Sequence, residues 1–211
     1  MRKTKLTLVV ILLIFILIIG FLFVSYRKVV VKYSEYNVVS KINDIMNQSN
    51  DVVLAMDFYY SDYFKISYDK EGAVQAVIAN SGLINQLAML WGTEIQNRLN
   101  AMRTFNVDMP SGALTGGAIF ANFGITIPIK TQVVAYADII YDSDFVSVGI
   151  NQTKHTLSFN TKVNATVTVP AGVKKIEVNQ KVLLAETIIN GKVPDTYLVE
   201  TENGDYFDLL P

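Results

Sequence analysis

The sequence contains no cysteine and a single histidine, His155. The absence of cysteine excludes a disulfide, a thiolate nucleophile and a zinc site that uses cysteine. With one histidine, a metal site would need carboxylates alone, and the alternating pattern around His155 places no two of them beside it. We therefore predict no metal, no cofactor and no cysteine-based catalysis.

Positive charge is also limited. The 18 basic and 19 acidic residues give a formal net charge of -1. All 19 acidic residues follow Val24, but only 15 of the 18 basic ones do, which leaves that part of the chain at -4. Because a nucleic-acid-binding surface needs concentrated positive charge, the composition argues against nucleic acid as a partner.

An apolar run from Leu6 to Val24 is the strongest positive signal in the sequence, since it contains no charge and no proline. As a helix it would extend about 28 Å, close to the hydrocarbon thickness of a bilayer. A cleaved signal peptide is one alternative, but no small-x-small cleavage site follows the run. A buried core helix is another, but Leu and Ile cover every face of the run. We predict an uncleaved transmembrane helix at 6–26. Basic residues flank it on both sides, so its orientation rests on the short N-terminal tail, which we expect in the cytoplasm.

These observations predict an α+β fold in which one N-terminal transmembrane helix precedes an exported domain with two helices and a long-stranded antiparallel sheet. The expected location is the cell membrane, with a single span and an extracytoplasmic C-terminal domain. The predicted segments are a cytoplasmic tail at 1–5, the transmembrane helix at 6–26, a juxtamembrane helix at 27–50, the exported domain at 51–198 and an acidic mobile tail at 199–211.

Periodicity predicts the elements of the exported domain. Strands at 63–68 and 73–79 flank a turn signal at 69–72, which indicates a hairpin. A helix beginning at Asn80 or Ser81 has an apolar stripe at helical spacing, and residues 153–169 alternate between apolar and polar as a half-buried strand does. The residues predicted to be buried are Trp91, Ile95, Leu99, Leu157, Phe159, Val163 and Val167.

The segment 110–124 is rich in glycine, which permits tight turns and close approach of the backbone. A phosphate-binding loop would continue with Lys-Ser or Lys-Thr and a helix, and neither follows here. We predict a shaped loop with an apolar lip, formed by Ile119, Phe120 and Phe123.

His155 and Glu186 are the two strongest candidates for a catalytic residue in this sequence. A Ser-His-Asp triad would use His155 as its base, with Ser143, Asp144 and Ser147 as candidate partners, but the sequence has no nucleophile elbow. Glu186 lies among apolar residues, so it is a perturbed carboxyl, a member of a salt bridge or a residue at a strand edge. We predict a packed or hydrogen-bonded His155 and a Glu186 that pairs with a lysine or a backbone donor, and we assign no catalytic residue.

Three segments resemble the YunB family of bacterial sporulation proteins: VGINQTKHTLSF at 148–159, AETIINGKVPDTY at 185–197 and NFGITIPIKT at 122–131. The resemblance covers residues 35–198, and 148–159 is its most specific part. It implies a membrane-anchored protein of the developing spore with no established enzyme activity, and it supplies no catalytic residue. The family-like positions whose role is unassigned are Gly149, Asn151, Gln152, Thr153, His155, Glu186, Gly191 and Pro194.

Two functions follow as hypotheses. The first is a membrane-anchored, non-enzymatic structural or assembly protein of spore formation, which acts through protein partners or self-association and has no evident small-molecule substrate. The alternative is an exported cell-wall hydrolase that uses a carboxylate such as Glu186. The structure can distinguish the two hypotheses, because a hydrolase needs a cleft around Glu186 or His155 and an assembly protein does not.

Overall fold

The structure is a computed structural model that describes residues 2–56, 59–115, 119–149, 151–191, 198–200 and 206–208. The helices are α1 (Arg2–Leu54), α2 (Tyr60–Tyr63) and α3 (Ser81–Ala101), with a 3-10 helix at Ser111–Thr115. The strands are β1 (Phe64–Tyr68), β2 (Val74–Ala79), β3 (Thr104–Pro110), β4 (Thr126–Gly149), β5 (Gln152–Val169), β6 (Gly172–Asn190), β7 (Leu198–Glu200) and β8 (Tyr206–Asp208). The α+β content agrees with the prediction.

The strands pair with their neighbours in sequence. β1 and β2 form an antiparallel hairpin, and a four-stranded sheet has the order β3-β4-β5-β6. The described backbone of the predicted tail contributes to a small antiparallel ribbon of β7 and β8. The long β4, β5 and β6 agree with the predicted long-stranded antiparallel sheet. Pro194 lies outside the described residues.

The N-terminal helix corrects the fold prediction. α1 is one continuous helix that covers both the predicted spanning segment 6–26 and the helix predicted at 27–50. A helix needs about 20 consecutive apolar residues to span a bilayer. Within the residues that the structure describes, no helix is both long enough and apolar enough to do so. The transmembrane part of the predicted fold class is therefore wrong, whereas the cellular location stays a prediction.

The chain forms two compact units, of which the first comprises residues 1–53, 90–139 and 161–180. Side chains four residues apart on α1, such as Val38, Ile42 and Met46, are fully buried, because this spacing places them on one face of the helix. The side chain of Gln96 on α3 bonds the backbone of β4, donating to Ala135 O at 3.2 Å and accepting from Ala137 N at 3.3 Å. The core of this unit is therefore built from helix faces and strand residues.

The second unit comprises residues 54–89, 140–160 and 181–211. Its hairpin turns as predicted: Asp69 Oδ1 accepts hydrogen bonds from the backbone nitrogens of Glu71 and Ala73, and Gly72 takes a positive φ of 83°. The side chain of Asn80 caps α3 by accepting from Leu83 N at 3.3 Å. Local turn and cap chemistry therefore fixes where β2 and α3 begin.

The prediction of buried residues is confirmed in both units. In the first unit, Trp91, Ile95 and Val163 have no exposed surface. In the second, Leu157 and Phe159 are buried on the dry face of β5. Helical and strand periodicities identified these residues because each reports which face of an element turns away from water.

Candidate functional site

His155 forms the centre of an aromatic cluster in the second unit. It lies on the dry face of β5 and is fully buried. The ring of Phe145 stacks on its imidazole, with centroids 4.1 Å apart and planes at 6°. Phe64 meets it edge-on at 4.4 Å, and Tyr60 does so at 5.6 Å. One aromatic ring therefore stacks on the imidazole, and two others contact it at steep angles.

Both ring nitrogens of His155 have a hydrogen-bond partner. The hydroxyl of Tyr60 lies 2.7 Å from Nδ1, and Oγ of Ser143 lies 2.9 Å from Nε2. Burial lowers the pKa of His155, while the charge of Asp144 acts in the opposite direction. Burial also raises the pKa of Tyr60. At neutral pH the cluster therefore contains a neutral imidazole and a protonated phenol.

These protonation states indicate which tautomer His155 adopts. A neutral imidazole carries one N–H and one acceptor nitrogen. Because the Tyr60 phenol is the stronger donor of the two hydroxyls, we infer that it donates to Nδ1 and that Nε2–H donates to Ser143 Oγ. In this tautomer the imidazole cannot take a proton from Ser143, which is the step that a triad requires. The cluster is arranged to hold the ring in place.

Only some of the predicted partners of His155 are near its ring. Ser143 contacts the ring, and Asp144 influences its pKa. Ser147 is an exposed residue farther along β4. Tyr60 was not predicted as a partner of His155, because the two residues are 95 positions apart and the sequence near His155 carries no signal for this contact.

Glu186 forms an ion pair on the surface. Its Oε2 lies 3.4 Å from Nζ of Lys154, and the two side chains are 44% and 36% exposed. The predicted ion pair is confirmed, and an exposed pair of this kind contributes at most about 1 kcal/mol. Across the described part of the chain, no group of three or more acidic or histidine side chains is placed to hold a metal ion.

Several family-like positions meet at the turn between β4 and β5. Asn151 adopts a left-handed conformation with φ 55°, and its carbonyl accepts a hydrogen bond of 2.7 Å from Gly191 N. Gly149 and Gln152 flank it, and a Cβ on Gly149 would lie 3.3 Å from the amide oxygen of Gln152. The two resembling segments at 148–159 and 185–197 are thus joined by a backbone contact.

A groove of about 500 Å³ adjoins this turn, and its lining includes Phe145, Asn151, Thr153, Gly191 and residues 74–77 of β2. Neither His155 nor Glu186 lines it. The groove therefore does not bring a candidate catalytic group to a substrate.

The apolar lip is an exposed part of the first unit. Ile119, Phe120 and Phe123 are 79%, 57% and 67% exposed, and the neighbouring Ile125 is also exposed. Exposed large apolar side chains that lie close together in sequence are candidates for an interaction site on a folded protein. The prediction of an apolar lip on this loop is confirmed.

The backbone of the loop holds the lip in a defined position. Ser111 N donates to Ile125 O, and Gly112 N donates to Phe123 O, each at 2.8 Å. A Cβ on Gly112 would overlap the carbonyl oxygen of Phe120, so only glycine fits there. Gly124 has φ 97°, in the left-handed region that favours glycine. Gly112 and Gly124 therefore shape the loop by close approach and positive φ, whereas Gly116 and Gly117 lie outside the described residues.

Comparison with known proteins supports the resemblance found in the sequence. Residues 106–196 match the family described as Sporulation protein YunB. The chain is 22% identical to Sporulation protein YunB of Bacillus subtilis (strain 168) over 166 residues, which cover 74% of this chain and 62% of that relative. The match thus spans less than two thirds of the relative's length. No solved structure matches. The predicted resemblance to the YunB family is confirmed, and the matched residues include both His155 and the apolar lip.

Proposed function

Because this chain matches the YunB family of sporulation proteins, we propose that it serves spore formation as a non-enzymatic assembly protein that acts through protein contacts. The observation that carries the proposal is the apolar lip, whose three large side chains are more than half exposed on an anchored loop. A partner protein, or a second copy of this chain, would cover them.

The energetics of burial favour this role. Full burial of a large apolar side chain contributes about 1.5–3 kcal/mol, so covering Phe120 and Phe123 alone would contribute several kcal/mol to association. The hydrogen bonds of Ser111 and Gly112 already hold the loop backbone. A preorganised loop loses less conformational entropy when it binds, which leaves more of that energy as affinity.

The hydrolase alternative has less support. Glu186 is ion-paired with Lys154 on the surface and does not line the neighbouring groove. His155 is held between Tyr60 and Ser143, and in the tautomer that we infer for it the imidazole does not activate the serine. A glycosidase mechanism needs two carboxyl groups facing each other across the scissile bond, whereas the partner of Glu186 is a lysine.

Replacement of the gene in its own organism tests the proposal. The double variant Phe120→Ser, Phe123→Ser should lower the count of heat-resistant spores, because it removes the lip while leaving the buried core intact. The matched control is Val134→Ser, Tyr136→Ser, which removes two exposed apolar side chains from β4. Immunoblots would establish that each variant accumulates to the wild-type level.

Variants of the candidate catalytic residues test the hydrolase alternative. Ser143→Ala and Glu186→Gln should leave the spore count near wild type if the protein is not an enzyme. Normal spores from the lip variant, together with a loss of spores in Glu186→Gln at unchanged protein level, would contradict the proposal and favour a hydrolase.

A further inference from the structure

A second groove lies within the first unit, between α1 and the turn from β5 to β6. Its volume is about 690 Å³, within the usual range of small-molecule sites. Helix α1 forms one wall of the groove. The residues of α1 that line it lie in two rows along the helix, which begin at Arg27 and at Lys28 and have a residue at every fourth position. Residues 171–174 form the opposite wall. The spacing places both rows on the same side of the helix.

Positive charge is concentrated in this groove. Its lining contains Arg27, Lys28, Lys32 and Lys174 against a single carboxylate, Glu35, in a chain whose formal net charge is -1. Lys174 Nζ lies 3.7 Å from Glu35 Oε1, so these two charges offset each other. Three cations are left to face a ligand.

Arg27 is oriented for anion recognition. Its Nε donates a hydrogen bond of 2.9 Å to the carbonyl oxygen of Ala171, which fixes the guanidinium plane. A terminal nitrogen of Arg27 lies 3.9 Å from the position that a Cβ on Gly172 would take. Because Gly172 lines the groove, this places the guanidinium beside the groove wall. A guanidinium held in this way presents paired N–H donors, and that geometry matches two oxygens of a phosphate.

Lys28 and Lys32 add charge one helical turn apart. Like charges at this spacing repel each other and weaken an isolated helix, so an anion bound between them would relieve the repulsion. The ammonium of Lys32 lies 5.7 Å from the centroid of Tyr36, which keeps it against the groove wall. The side chains of Val31 and Val173 supply an apolar surface next to the cations.

We propose that this groove binds a phosphate ester, with the phosphate held by Arg27, Lys28 and Lys32 and the organic part against Val31 and Val173. Arginine together with two lysines suits a dianionic or diester phosphate better than a single carboxylate. The ester is either a soluble metabolite or the headgroup of a phospholipid, since both present the same group.

Calorimetric titration of the full chain with glycerol 3-phosphate tests the soluble source, and flotation with vesicles of phosphatidylglycerol or phosphatidylcholine tests the lipid source. The variant is Lys28→Gln, Lys32→Gln. The matched control is Lys65→Gln, Lys70→Gln, which removes the same charge from exposed residues outside the groove. We expect the groove variant to bind about tenfold or more weakly, and the control to bind like wild type.

The outcomes separate the two sources. Saturable binding of glycerol 3-phosphate that the groove variant loses supports a soluble ester. Binding only to phosphatidylglycerol vesicles, again lost in the groove variant, supports a lipid headgroup. The proposal is overturned if neither probe binds, if both variants lose binding equally, or if succinate binds as tightly as glycerol 3-phosphate.

Discussion

The hydroxyl of Tyr60 lies 2.7 Å from Nδ1 of His155, and this contact joins a short helix to a buried strand 95 residues later. The imidazole is otherwise enclosed by Phe64 and Phe145. A buried polar group needs a partner, because leaving it unsatisfied costs about 1–3 kcal/mol. The cluster therefore contributes to stability within the second unit, and its pieces can be tested one at a time.

The stability of the chain should fall as the pH drops below about 6.5, the ordinary pKa of histidine. Burial lowers the pKa of His155 in the folded state, so the unfolded chain takes up the proton first. The stabilising contribution is fully present above the unfolded pKa and is lost as the pH falls toward the lower folded value. Denaturant unfolding between about pH 7 and pH 5.5 measures this slope.

His155→Gln provides the control, because the chain contains no other histidine. The variant should be less stable at neutral pH, and its stability should change little across the same range. An equal slope in the variant and in wild type would assign the pH dependence to other groups and contradict the account of the cluster.

Tyr60→Phe should lower the free energy of unfolding by about 1–3 kcal/mol, because it removes the donor to a buried nitrogen while keeping the ring. Tyr59→Phe is the matched control, since the side chain of Tyr59 is 64% exposed, and it should change stability by less than about 0.5 kcal/mol. Urea unfolding of both variants makes the comparison. Equal effects would mean that the hydrogen bond to His155 does not stabilise the fold.

Trp91→Ala should cost about 3–5 kcal/mol, the usual loss when a large aromatic residue is removed from a packed core. Trp91 is fully buried on α3, whereas Met89 on the same helix is 73% exposed. Met89→Ala should therefore change stability by less than about 0.5 kcal/mol. A loss below about 1 kcal/mol for Trp91→Ala would contradict the packing described for the first unit.

Two glycines of the first unit should respond in opposite directions to alanine. Gly92 lies inside α3, where a Cβ would meet Ile139 at an ordinary 3.7 Å, so Gly92→Ala should stabilise by about 0.5–1 kcal/mol. Gly112→Ala should destabilise, because the new Cβ would overlap the carbonyl of Phe120. Thermal unfolding of the two variants measures both signs, and a neutral Gly112→Ala would show that the lip loop is not held as described.

Elements whose signals are local were predictable from the sequence. The hairpin followed from the turn chemistry at 69–72, and the burial of His155 and Leu157 followed from the nearly regular alternation of apolar and polar residues along β5. The apolar lip was also predictable, because Ile119, Phe120 and Phe123 lie among glycines that cannot cover them. In each case the information is contained within a few neighbouring residues.

Contacts between distant segments were not predictable. Nothing near His155 indicates that Tyr60 will reach Nδ1, nor that Arg27 will bond the carbonyl of Ala171. The predicted transmembrane helix was wrong, because no helix among the described residues is both long enough and apolar enough to span a bilayer. The structure instead contains one continuous helix whose later turns bury Val38 and Ile42 in the core of the first unit.

Site-specific photocrosslinking tests the proposed assembly role most directly. A benzoylphenylalanine introduced at Phe123 in cells that are forming spores should give a discrete adduct with a protein, either a partner or a second copy of this chain. The same probe at Val134, an equally exposed position on β4, should give none. Absence of any adduct at Phe123, or equal crosslinking at the two positions while the chain accumulates normally, would contradict the account that the apolar lip is a protein-contact surface.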